Sequence, residues 1–231
     1  MGFIVIEGLD GSGKSTQVNM LLEYLMKKEI KHRYIHFPRL EKGIYGQMIA
    51  RFLRGEFGKL EDVHPYLVSL IYAGDRKEIA QKMYQWLDEN NLLIVDRYVC
   101  SNIAYQGAKL QTDEEKEELA DWIMNFEYEY HKIPKPDINI FLDVPFDFTR
   151  KKLGEVRTGD DRDYLKGKKD IHEANFDFQK KVKEMYLWQA GNYADFEIIN
   201  CKGNDNEMLS PQQIFDNIIK TINFIPELNK S

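Results

Sequence analysis

Five strand-like runs alternate along the chain with stretches in which apolar residues recur every three or four positions. Phe3-Ile4-Val5-Ile6 is the first run, and a helical pattern follows it with Val18, Leu21, Leu22 and Leu25 on one face. Lys31 to His36 reads as a second strand, closed by Phe37-Pro38-Arg39 because proline cannot continue the ladder. Gly43 to Arg54 has Ile44, Met48, Ile49 and Phe52 at helical spacing, and Gly55 and Gly58 separate it from a longer helix whose predicted core face is Val63, Leu67, Leu70 and Ile71. Leu92-Leu93-Ile94-Val95 is wholly apolar, the pattern of a central parallel strand covered on both faces. Thr112 to Glu115 is a capping box, and Leu119, Trp122, Ile123, Phe126 and Tyr130 continue its helix until Pro134 and Pro136 stop it. Asp137 to Asp143 is the fourth strand, and Pro145 starts a new helix. Periodicity then vanishes from Arg150 to Lys169 and resumes with Phe178, Val182, Met185 and Tyr186. Phe196 to Ile199 is the last strand, and Ser210-Pro211 opens a closing helix with a cap residue and proline in the first helical position. This alternation, without internal repeats, predicts an α/β fold with a parallel sheet, helices on both faces, and ligands at the carboxyl edge of the strands.

Composition narrows the class. A chain of 231 residues, 43% hydrophobic and 30% charged, suits one substantial domain. The formal charge of −6 argues against binding a nucleic-acid polymer, which requires many phosphates to be neutralised, so any anionic ligand must meet local basic clusters. Cys100 and Cys201 are far apart with no metal or redox spacing and read as reduced, partly buried thiols. The start runs straight into the first strand and no apolar run approaches a membrane span, which together predict a cytoplasmic protein without a membrane partner.

The chemistry centres on Gly8-Leu9-Asp10-Gly11-Ser12-Gly13-Lys14-Ser15-Thr16, which fills the phosphate-loop pattern G-x-x-x-x-G-K-[ST] between a strand and a helix. Gly8, Gly11, Ser12, Gly13 and Thr16 are candidates to cradle a polyphosphate with backbone N–H groups and the helix N-terminus. Lys14 should reach the β- and γ-phosphates, and Ser15 is placed to ligate Mg²⁺. Arg39, Arg76 and Arg97 recur at element ends facing the same edge, which implies a second anionic group, since planar guanidinium forks suit phosphate oxygens. The segment Arg150–Lys169 holds eight basic residues against four acids and reads as a mobile lid that adds positive charge and excludes water. The chain offers no base that must be strongly activated, as expected when the acceptor is itself an anionic phosphate and catalysis is positioning plus charge neutralisation. The five histidines show no metal spacing and read as structural.

From Asp96 the reading sharpens. Asp96-Arg97-Tyr98-Val99-Cys100-Ser101-Asn102-Ile103-Ala104-Tyr105-Gln106-Gly107 closely resembles the D-R-[YH]-x-x-S-x-x-A-Y-Q-G signature of thymidylate kinases. The phosphate loop, Phe37-Pro38-Arg39, the Tyr72 and Arg76 pair, and Leu142-Asp143-Val144 fall in that family's order over residues 1–200. The resemblance implies a nucleoside-monophosphate-kinase fold with a five-stranded parallel sheet, and transfer of the γ-phosphate of ATP to dTMP with Mg²⁺. It assigns Asp10 to the acceptor's 3′-hydroxyl, Arg39 and Arg97 to its phosphate, and Tyr72 to stacking on thymine. Arg76 would hydrogen-bond the base, Gln106 would lie beside its edge, and Tyr105 would crowd C2′ against ribonucleotides. Phe37, Pro38 and Ser101 complete the implied acceptor site, and Asp96 is the implied acid near Mg²⁺. Where some members carry a basic residue inside the phosphate loop, this chain has Gly11, so a lid arginine, Arg157 or Arg162, is expected to stabilise the transferring phosphate. The whole of 1–231 is expected to be one kinase domain, with the lid at about 150–173 and a loose tail from 224.

Three other readings compete, one of them a kinase-like remnant with a structural role, against which Lys14, Ser15, Asp96 and Arg97 are all present. A related kinase for a nucleoside or another monophosphate would share the loop and lid but should lack the Tyr105-Gln106 pair. A guanine-nucleotide switch should carry an N-K-x-D element, which this chain lacks. The resemblance also implies a homodimer, with faces around Leu67–Ile71 and Ala104–Leu110 as candidates for contact or for core.

Overall fold

The computed structural model describes residues 2–40, 42–154, 164–166, 170–172, 175–203 and 207–229. Its sheet has five parallel strands in the order β2-β3-β1-β4-β5: β1 Phe3–Glu7, β2 His32–His36, β3 Leu92–Asp96, β4 Ile138–Asp143 and β5 Phe196–Asn200. Parallel pairing requires crossovers, and helices supply them: α1 Lys14–Lys27, α2 Gly43–Leu53, α3 Pro65–Asp88, α4 Val99–Gly107, α5 Asp113–Met124, α6 Phe146–Gly154, α7 Phe176–Asn192 and α8 Pro211–Ile222.

The period of two along the strands divides the core into two layers. Ile4, Ile6, Ile94 and Ile140 face α1 and α8, where Val18, Leu21, Leu25, Ile214 and Ile218 meet them. Phe3, Val5, Leu93, Val95 and Phe141 face the opposite way, towards α3, α4, α5 and α7. Both faces of β1 and β3 are therefore buried, which is why these strands read as unbroken apolar runs. The capping box at Thr112 forms as expected, with Glu115 N–H on the Thr112 hydroxyl and the Glu115 carboxylate on the Thr112 N–H. Ser210 caps α8 in the same way, with Pro211 in its first turn.

Three expectations are corrected. Helix α3 begins at Pro65 and buries Val68, Ser69, Ala73, Ala80 and Met83, while Leu67 and Leu70 are 58% and 36% exposed. Its first turns are apolar on several sides, so the period alone selects no face; the small residues Ser69, Ala73 and Gly74 decide it by letting other helices approach. A Cβ on Gly74 would lie 2.2 Å from the Tyr45 ring of α2. Second, the helix from Thr112 does not stay α-helical: over Asn125–Tyr130 it widens to a π-helix, turning Glu127 and Tyr128 inward and leaving Tyr130 74% exposed. Third, the tail beyond 224 is packed as far as Leu228: Ile225 and Leu228 are buried in the α1–α8 layer, and a short 3₁₀ turn covers Pro226–Asn229. Of the two candidate dimer faces, Ala104 to Ala108 is buried within the chain's own core.

Candidate active site

The carboxyl ends of β1, β2 and β3 open on a cavity of about 1,110 Å³. Apart from Gly8, every described residue of the predicted site lines it, from Asp10 through Thr16 to Tyr105 and Gln106. Arg157 and Arg162 lie outside the described residues.

The loop between β1 and α1 has the backbone that its glycines permit. Gly11 and Gly13 take left-handed φ values of 76° and 82°, and Gly13 caps α1 without any side chain bonding the first-turn N–H groups. Those donors and the positive end of the helix dipole remain for an anion. A side chain at Gly8 would strike Ser12 Oγ at 2.7 Å and the Lys14 stem. Lys14 folds back over the loop and donates Nζ to the carbonyls of Leu9 at 2.9 Å and Gly8 at 3.2 Å. Burial, together with the Arg97 charge, pulls its ammonium down to about 8 against the attraction of Asp96 and Asp10.

Asp96 ends β3, 3% exposed, with Oδ2 3.2 Å from His36 Nδ1 and Oδ1 without a partner among the described residues. Burial alone would raise this carboxyl, yet the His36 contact and the Lys14 charge hold it below the usual range. Ser15 lines the same end of the cavity. Among the described residues no three His, Cys, Asp or Glu side chains cluster as a metal cage.

The second anion site is built around Arg97, the residue after β3, which adopts a left-handed φ of 66°. This costs a non-glycine residue roughly 1–2 kcal/mol, and the turn is held by the Arg97 N–H on the Ile6 carbonyl. Its guanidinium donates to Asp10 Oδ1 at 2.7 Å and to Ser101 Oγ at 3.2 Å, and lies 5.2 Å from the Tyr105 ring centroid. Asp10 Oδ2 accepts from the Tyr105 hydroxyl at 2.7 Å and from Gln179 Nε2 at 3.1 Å. Burial opposes the Asp10 charge, but Arg97, Lys14 and the Tyr105 hydroxyl outweigh it and hold the carboxyl well below its ordinary value. Arg39 is fixed on the other side by acids of α3, with Nε on Asp75 Oδ1 at 2.9 Å and Nη2 on Glu78 Oε2 at 2.8 Å.

Several residues that the sequence did not mark hold this arrangement. Glu7, fully buried at the end of β1, accepts from the N–H groups of Tyr98 and Ser101 and from the hydroxyls of Ser101 and Tyr186. Ser101 thus lines the cavity with its hydroxyl already committed between Glu7 and Arg97. A lone charge closing an apolar strand was the available signal for Glu7. His172 packs its ring against Tyr105, 5.0 Å between centroids, and its carbonyl accepts from Gln179 Nε2. Burial pushes its imidazole down to about 3, so it is neutral. Ile171 N–H bonds the Leu53 carbonyl and Arg54 Nη1 the Tyr164 carbonyl, which ties these parts of the expected lid region to the end of α2. In the cavity wall, Arg76 lies 2% exposed with Nε and Nη2 on the Glu127 carboxylate, and Asn102 Nδ2 bonds the same carboxylate.

A parallel sheet of order 2-3-1-4-5, a phosphate loop after its first strand and an arginine-rimmed second anion site beside the loop define a P-loop phosphotransferase of the nucleoside-monophosphate-kinase fold. Known proteins agree. The family model described as thymidylate kinase matches residues 6–208. A thymidylate kinase of Plasmodium falciparum (isolate 3D7) is 30% identical over 184 residues, 80% of this chain and 75% of the relative. A probable thymidylate kinase 1 of Saccharolobus solfataricus is 32% identical over 206 residues, 89% and 92% of the two chains. The solved thymidylate kinase of Candida albicans superposes with a TM-score of 0.70 at 23% identity, covering 99% of this chain and 93% of that one, which shows the shared fold. The chain belongs to the thymidylate kinase family.

Proposed function

We propose that the protein transfers the γ-phosphate of ATP to dTMP, giving dTDP and ADP. The observation that carries this reading is the juxtaposition, in one cavity, of the phosphate loop with the Arg97–Asp10–Tyr105 cluster. ATP would lie with its β- and γ-phosphates against the loop N–H groups and Lys14 Nζ, released from its carbonyl contacts. The dTMP phosphate would meet Arg97 and Arg39. An oxygen of that phosphate then attacks the γ-phosphorus in line as the bond to the β–γ bridging oxygen breaks, and no proton need be abstracted. Among the described residues Asp10 Oδ1 accepts from Arg97 alone, which leaves capacity for the 3′-hydroxyl of the acceptor. Tyr105, held by Asp10 and backed by His172, would stand against C2′, and Tyr72 would stack on the base. Gln106, whose buried Oε1 has no partner among the described residues, would lie at the base edge.

Mg²⁺ would be held through the unpartnered Oδ1 of Asp96 and the Ser15 hydroxyl, supplying charge neutralisation on the phosphates. Arg157 or Arg162 would add charge at the transferring group. The exposed Leu67 and Leu70 on α3 supply an apolar face for a homodimer. No described helix is long and apolar enough to cross a membrane, and we place the enzyme in the cytoplasm as a single kinase domain.

A coupled assay of ADP release with ATP and Mg²⁺ against dTMP, dUMP, dCMP, UMP and thymidine tests the reading. Fast turnover on dTMP with little on UMP or thymidine is expected. Turnover on thymidine but not dTMP would move the chain to nucleoside phosphorylation and remove the acceptor-phosphate roles of Arg39 and Arg97.

A further inference from the structure

Glu7 closes β1 immediately before the phosphate loop and is 0% exposed, behind the residues that line the cavity. Its carboxylate is where β1 and α4 are joined. Helix α4 receives no cap from the side chain of Tyr98, the residue before it. Glu7 Oε1 caps it from the neighbouring strand, accepting the Tyr98 N–H at 2.8 Å and the Ser101 N–H at 3.2 Å at the positive end of the helix. The Arg97 N–H bonds the Ile6 carbonyl, so the left-handed turn at Arg97 is fastened on both sides to the last two residues of β1.

The second oxygen fixes polarity. Glu7 Oε2 lies 2.5 Å from Ser101 Oγ and 2.9 Å from the Tyr186 hydroxyl, and these two are 2.7 Å from each other. A carboxylate only accepts, and each hydroxyl has a single proton to give. Burial, and then the Glu7 charge, pushes the Tyr186 phenol well above its usual range, so its proton stays on the phenol. Whether Tyr186 donates to Oε2 directly or through Ser101, both hydroxyl protons point towards Glu7. Their lone pairs are left for Arg97 Nη1, which donates to Ser101 Oγ at 3.2 Å and to the Tyr186 hydroxyl at 3.4 Å. The other arm, Nη2, is on Asp10 within the phosphate loop. The guanidinium is thus held at both ends by β1 and the loop that follows it.

We propose that Glu7 is a positioning residue for phosphoryl transfer: by turning the Ser101 and Tyr186 hydroxyls into acceptors for Arg97, it holds that guanidinium in register with the phosphate loop. The role rests on the dTMP reading, in which Arg97 meets the acceptor phosphate while the loop holds the donor. A misplacement of about 1 Å between reacting groups can cost about 10²-fold in rate.

Glu7→Gln keeps the size of the side chain and reverses one arm. Its carbonyl must stay with the Tyr98 and Ser101 N–H groups, so the amide NH₂ takes the place of Oε2 and donates to the hydroxyls. Their protons then turn on Arg97 Nη1, and donor meets donor. The measurements are kcat/KM for dTMP and Kd for ATP in wild type, Glu7→Gln, Arg97→Ala and the double variant. Glu7→Gln is expected to lower kcat/KM about 10–100-fold with the affinity for ATP unchanged. In the Arg97→Ala background the same change should cost less than about two-fold, because the two residues act as one unit. Equal losses in both backgrounds, or wild-type turnover in Glu7→Gln, overturn the proposal. If Glu7→Gln does not fold, Tyr186→Phe decides: it keeps the ring stacked on Phe141, 4.5 Å between centroids, and removes the hydroxyl alone. A several-fold fall that vanishes in the Arg97→Ala background supports the role, and an unchanged rate or an equal fall in both backgrounds overturns it. A wild-type enzyme inert towards dTMP overturns the activity, and the role with it.

Discussion

Replacing Arg97 by glycine and by alanine separates what its backbone costs from what its side chain does. Both variants lose the 2.7 Å contact with Asp10, whose side chain is 23% exposed. Truncating one partner of a buried pair costs about 3–5 kcal/mol. Asp10 keeps Tyr105 and Gln179, so we place Arg97→Ala at the lower end, about 3 kcal/mol. The φ of 66° is then the only difference between the two. Glycine relieves roughly 1–2 kcal/mol of left-handed strain and gives back about 0.4–1 kcal/mol through the freedom it adds to the unfolded chain. Arg97→Gly should therefore be the more stable variant by about 1 kcal/mol, or about 2–4 °C in Tm for a chain of this size. Urea and thermal denaturation measure the difference, with ATP affinity as the control for an intact phosphate loop. Activity should fall equally in both, by about 10²–10³ in kcat/KM, the range for losing one preorganised donor to a reacting oxyanion. An alanine variant as stable as the glycine variant would refute the strain argument, and a glycine variant with normal turnover would refute the role of Arg97 in transfer.

Two further outcomes follow from buried contacts. His172 stays neutral down to about pH 3 in the folded chain but takes a proton near 6.5 when unfolded. The unfolded state thus binds more protons between these values, and stability falls as pH drops through that window. By pH 5 the loss from this residue is about 2 kcal/mol. Denaturation curves at pH 7 and pH 5 should show it in wild type and not in His172→Phe, and an equal acid loss in the two would count against a neutral His172. Gly74→Ala drives a methyl into Tyr45 and should cost about 1–3 kcal/mol by overpacking. Adding Tyr45→Ala should recover most of that cost in the same denaturation assay, and no recovery would mean that the α2–α3 contact is not the cause.

Much of the molecule could be read in advance because its signals are local. Each strand, the capping box at Thr112, the cap at Ser210 and the phosphate loop rest on residues within a few positions of one another, and all appear where the pattern places them. The cavity also gathers what the Asp96 to Gly107 signature implied, since β1 and β3 lie side by side and bring Asp10 within 2.7 Å of Arg97. What escaped depends on partners distant in sequence. Leu67 and Leu70 looked like core because α3 is apolar on several sides, and only the close approach of neighbouring helices at Gly74 and Ala73 shows which side is inside. Glu127 sits in a stretch whose spacing continues the α-helix on paper, and a π-turn leaves no mark in a 3.6-residue pattern. His172 read as structural, and its work is to back Tyr105, which no spacing within its own segment discloses.

The strand order also has a consequence for how the chain is made. Of the five strands, β1 is made before the others and ends in the centre of the sheet, and its two neighbours, β3 and β4, begin only at Leu92 and Ile138. At synthesis rates of about 5–20 residues per second, Phe3-Ile4-Val5-Ile6 waits on the order of ten seconds for both partners. During that interval a strand apolar on both faces stands without its neighbours. The strand that leads into the phosphate loop is thus the one most in need of shelter before the protein exists as a folded body.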